Sequence, residues 1–152
     1  MKSKFWKIFL PAVIVAVLGF ALLNATFMLD FWWQSCLKFI FWRNVELTGN
    51  WIMAVMQASF IIIIALISWL VYRSKIGTIF KAAFTMVPVA IVLVFDGILF
   101  FRTPALAYSI GAVIMLGVLA LFYYKKFPWL YYYSVLLVAL GLLALGLTGT
   151  DI

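Results

Sequence analysis

Asp96 stands in a run of hydrocarbon: residues 87–101 hold no other charged side chain, and only Pro88 and Gly97 interrupt the aliphatic and aromatic residues. On insertion scales an acid at the centre of a membrane helix costs about 2.5–3.5 kcal/mol unless it is paired, protonated or facing water. Three kinds of chemistry fit such a residue: a structural ion pair between helices, a proton or cation site, and a neutral protonated acid. Arg102 lies six residues on, about 240° around a helix, so the two do not share a face. Lys38 and Arg43, expected on the same side of the membrane, are better placed to reach Asp96 from another helix, and Arg102 is expected to snorkel to the headgroups.

Three other polar residues fall at a similar depth when counted from the nearest span ends. Asn24 lies late in the first apolar run, Gln57 early in the second, and Ser109 five residues past Pro104. With Asp96 they are expected to form one polar layer. That layer serves either as interhelical hydrogen bonding or as the lining of a small outward-facing cavity. The absence of histidine removes the commonest general base and metal ligand, and the single Cys36 cannot form an internal disulfide. No paired carboxylates and no phosphate-binding glycine loop are present. Neither a cofactor nor a metal is expected.

The elements that carry these residues follow from composition. Of 152 residues, 69% are hydrophobic and 10% charged, against about 45–50% and 25% in globular domains, so the chain reads as an all-α integral membrane protein. A helix needs about 20 apolar residues to cross the hydrocarbon core. Five segments qualify, at residues 8–29, 51–72, 80–101, 104–123 and 128–147, forming a single domain of five transmembrane helices in an up-down bundle. The basic start followed by a long apolar run resembles a secretory signal but lacks a small-x-small cleavage pattern, so it reads as an uncleaved first span. Between the first two spans, Asp30, Gln34 and Lys38 recur every four residues among Trp, Phe and Leu. That stripe predicts an amphipathic helix over 30–48 lying in the outer interface.

Net charge is +7. With the N-terminus inside, eight of the 11 cations (Lys2, Lys4, Lys7, Arg73, Lys75, Lys81, Lys125, Lys126) are cytoplasmic and three (Lys38, Arg43, Arg102) external. This favours a plasma-membrane protein with a cytoplasmic N-terminus and an external C-terminus. The basic residues cluster at segment ends, which suits lipid headgroups and not nucleic acid. Three functions remain open. The first is a small non-catalytic subunit that assembles with partner membrane proteins or with itself. The second is an oligomeric transporter or channel using Asp96. The third is a membrane enzyme acting on lipid, disfavoured by the lack of catalytic side chains.

Overall fold

A computed structural model of the chain describes residues 2–41, 50–100 and 102–147. They form five helices: α1 (Lys2–Phe41), α2 (Asn50–Arg73), α3 (Thr78–Leu99), α4 (Pro104–Tyr124) and α5 (Trp129–Leu147). The first four are long and apolar enough to cross a membrane. α5, with 19 residues, spans about 28 Å at 1.5 Å per residue.

α3 is the central element and touches all four others. Its apolar window is 56% buried, against 11% in α1 and 6% in α4. The sequence explains why. Ala82, Ala83 and Ala90 give α3 a face with little side-chain bulk, so neighbouring backbones approach closely. Gly19 of α1 uses that closeness, and a Cβ there would run into the sulfur of Met86 on α3. Val15, Met86, Phe122, Tyr131 and Val135 join the three alanines in the larger core, while Phe60, Ile64, Val87 and Ile91 form a second one between α2 and α3. Tyr131 stands in the aromatic stretch that follows Pro128, yet its ring faces inward and packs edge-on against Phe122 at 5.8 Å.

Helix ends α2 to α5 fall within two residues of the expected span boundaries. Pro104 occupies the first turn of α4, where its missing N–H costs nothing. Thr103 precedes it but makes no side-chain cap. At the other end of α4, the Phe127 N–H donates to Phe122 O and the Lys126 N–H to Tyr123 O, the paired bonds of a Schellman motif. The accompanying apolar contact is present too, with the Phe122 and Phe127 rings 5.2 Å apart.

That motif places Lys126 at φ 52°, a left-handed conformation in which a Cβ crowds the following carbonyl at a cost of roughly 1–2 kcal/mol. Lys126→Gly should therefore raise the unfolding midpoint in detergent, with a gain on the order of 1 kcal/mol. A melting temperature equal to or below that of the parent would contradict this account of the turn.

One expectation fails. The segment from Asp30 does not leave the first helix to lie in an interface; α1 continues unbroken through Phe41, and residues 42–48 of the expected interfacial helix lie outside the described residues. No Gly or Pro occurs between Gly19 and Phe41, so nothing in the backbone ends the helix at Leu29. The polar side chains satisfy themselves along it. Asn24 donates to Phe20 O, Thr26 to Leu22 O, Ser35 to Phe31 O and Gln34 to the Asp30 carboxylate, each four residues back. A four-residue polar repeat of this kind supports helix continuation as well as it marks an amphipathic boundary.

Candidate functional site

The α2–α3 and α4–α5 turns gather Arg73, Lys75, Lys125 and Lys126 at one end of the bundle, called here the basic end. Asp96 belongs to the opposite end. It lies three residues before the end of α3, about 4.5 Å along the axis, nearer the helix terminus than its position in the apolar run suggested. Its backbone carbonyl accepts the Phe100 N–H at 3.0 Å, closing the last turn.

The Asp96 side chain is 6% exposed. Its cover is local: few protein atoms lie beyond the immediate neighbours on α3 and α4. Gly111 of α4 faces it so closely that a Cβ there would sit 3.5 Å from Asp96 Oδ2 and equally near Leu93 Cδ2. Among the described residues no side chain donates a hydrogen bond to the carboxylate and no cation pairs with it. Lys38 and Arg102 are unpaired with it, and Arg43 lies outside the described residues.

A second acid proves to be set among the helices. Asp30, expected at the outer surface, stands instead three-quarters of the way along α1, half-buried against α2. Gln34 Nε2 donates to Asp30 Oδ2 at 2.9 Å, and Gln57 of α2 approaches the carboxylate short of hydrogen-bonding geometry. The other oxygen, Oδ1, is buried with no hydrogen-bond partner. One turn further, Trp33 Nε1 donates to Ser59 Oγ at 3.0 Å and fixes α1 against α2. The sequence signal was the Asp30–Gln34 spacing on a stretch with no helix breaker.

The four-residue polar layer does not come together. Gln57 faces Asp30, not Asp96. Asn24 is exposed on a groove between α1, α3 and α5 and bonds its own helix at 2.8 Å. Ser109 is exposed on α4 and donates to Ala105 O at 2.7 Å. Each short polar side chain has found a local carbonyl, which removes its drive to seek another helix.

A further polar network lies toward the basic end. The Tyr72 hydroxyl is 2.8 Å from Thr85 Oγ1, and Thr85 donates in turn to Lys81 O at 2.8 Å. Lys81 Nζ reaches back to Tyr72 O at 3.0 Å and Ser74 O at 2.6 Å, so its ammonium neutralises the carbonyl end of α2. Such a lysine is a structural clamp between α2 and α3. Tyr72 and Thr85 carried no motif that pointed to it.

No three histidine, cysteine or acidic side chains meet to form a metal centre among the described residues. What the arrangement offers chemically is two carboxyl groups in apolar helices, each lacking a cation from the described chain. Comparison with protein-family models, with curated proteins and with solved structures found no match to this chain.

Proposed function

We propose that this protein is a small non-catalytic subunit of the cell membrane. It crosses five times, with its N-terminus in the cytoplasm and its C-terminus outside, and assembles with partner membrane proteins or with copies of itself. The observation that carries this reading is Asp96: a covered carboxyl at the end of an apolar helix, with no partner in the described chain. A charged group in that setting needs a counter-group, and an assembly partner presenting Arg, Lys or an amide across α4 supplies one. The thin cover over Asp96 leaves such a group only a short distance to travel. The sparse burial of α1 and α4 within the chain fits the same picture, because both helices have wide faces to offer a neighbour.

The same carboxyl supports a second reading, a proton or cation carrier. Gly111 leaves a methyl-sized space beside the acid, and a proton or a dehydrated monovalent cation would compensate the charge in place of a partner's side chain.

Purification in mild detergent followed by native mass spectrometry separates the two. The subunit reading expects a complex of fixed stoichiometry, with a partner or as a homo-oligomer, that survives dilution and conducts no ions by itself. A homo-oligomer that conducts protons or cations when reconstituted alone into liposomes would replace it with the carrier reading.

A further inference from the structure

Between α2, α3 and α4, toward the basic end, the surface sinks into an open groove of about 400 Å³. Tyr72, Thr85, Pro88, Val92, Gly117 and Leu121 line it. The volume falls in the range of about 300–1,000 Å³ typical of small-molecule sites. α4 presents Gly117 to the groove, and a Cβ at that position would meet nothing within 4 Å.

The floor is closed to polar ligands. Thr85 donates its hydroxyl to Lys81 O, so the proton between Tyr72 and Thr85 comes from Tyr72, and neither hydroxyl has a donor left to offer. The remaining lining is hydrocarbon, and an occupant of the groove must be hydrocarbon as well.

The mouth has the opposite character. Arg73 and Lys75 follow closely on Tyr72, and Lys125 and Lys126 stand within five residues of Leu121. Arg73 lies over the Trp69 ring at 5.4 Å, which holds its guanidinium near the helix surface. Lys75, Lys125 and Lys126 are exposed. Lys81 Nζ, with two of its three protons engaged by carbonyls, retains one more donor at the same end. The two acids on the described helices, Asp30 and Asp96, both belong to the far end, so no carboxylate among the described residues offsets this charge.

An apolar trough with an acid-free cationic mouth is complementary to an anionic amphiphile. We propose that the groove between α2, α3 and α4 holds one acyl chain of an anionic phospholipid, with its phosphate met by Lys75, Lys125 and Lys126 from the two turns. Basic pockets between membrane helices recognise anionic headgroups by this combination of charge and apolar cover. The site lies toward the opposite end of the bundle from Asp96 and does not use it.

The test is lipid binding to the delipidated full-length protein in detergent, titrated with phosphatidylglycerol or phosphatidylcholine and counted by native mass spectrometry. One phosphatidylglycerol is expected to bind in preference to phosphatidylcholine. Combining Lys75→Gln, Lys125→Gln and Lys126→Gly should weaken it by roughly fivefold per cation removed. Gly117→Leu should fill the trough and abolish the preferred lipid. Equal binding of the two lipids, or phosphatidylglycerol binding unchanged in the charge variant, overturns the proposal even if Gly117→Leu does not fold. Full lipid binding by a folded Gly117→Leu protein overturns it as well. So does a dimer that Gly117→Leu dissolves, because the groove then belongs to a second copy of the chain.

Discussion

Asp96→Asn should weaken the assembled state by about 3–5 kcal/mol while leaving the thermal stability of the isolated chain nearly unchanged. The substitution is isosteric, so the fit of the side chain opposite Gly111 is kept and only the charge is lost. Within the chain nothing described depends on that charge, because no hydrogen bond or ion pair reaches the carboxylate. Across an interface the loss strands a partner's cation in a poorly solvated place, and that unpaired charge is the source of the large penalty. Native mass spectrometry of the complex, alongside melting of the separated chain, reads the two effects independently. The carrier reading expects a different pattern: intact assembly, an unchanged melt and no ion- or pH-dependent flux. If the substitution is silent in assembly and in flux alike, neither role belongs to Asp96.

The second large effect is expected at Gly19, where α1 meets α3. Any side chain at this position meets Met86, which is itself 1% exposed. Gly19→Leu should therefore destabilise the fold by about 1–3 kcal/mol through overpacking. Gly19→Ala should cost far less. The flexible Met86 tail lines the neighbouring groove between α1, α3 and α5 and can swing toward it, and replacing a helical glycine returns about 0.5–1 kcal/mol. The decisive measurement is a double-mutant cycle with Met86→Ala, followed by unfolding in detergent. Shortening Met86 should relieve most of the strain that Gly19→Leu introduces, giving a strong departure from additivity. Additive losses would mean that the close approach of α1 to α3 has another origin.

Helix positions are legible in the sequence because they depend on one-dimensional quantities. The lengths of the apolar runs, the Pro104 entry and the Lys125–Lys126 exit each mark a place along the chain, and α2 to α5 follow them closely. The extension of α1 escapes such a reading, because polarity by itself does not mark a boundary. The decisive feature is the absence of any Gly or Pro from Phe20 to Phe41, which lets Asp30 and Gln34 sit on a continuing helix. The polar layer fails for a related reason. Residue counting gives depth at 1.5 Å per residue, but which helix face turns inward is set by packing. In this chain α1 and α4 pack on α3 through other faces and leave Asn24 and Ser109 exposed. Gln57 does turn toward another helix, yet the acid it meets is Asp30, whose place in the sequence points to the surface.

The 40 residues of α1 make a helix about 60 Å long, roughly twice the thickness of a bilayer's hydrocarbon core. Even the 30 residues after Pro11 outreach that core, at about 45 Å. Tilting cannot absorb the difference, since a membrane helix leaning by about 20° gains only a few ångström of buried length. In a membrane part of α1 must therefore stand outside the hydrocarbon core while remaining helix, an arm clasped to α3 by Gly19 against Met86 and to α2 by Trp33 against Ser59.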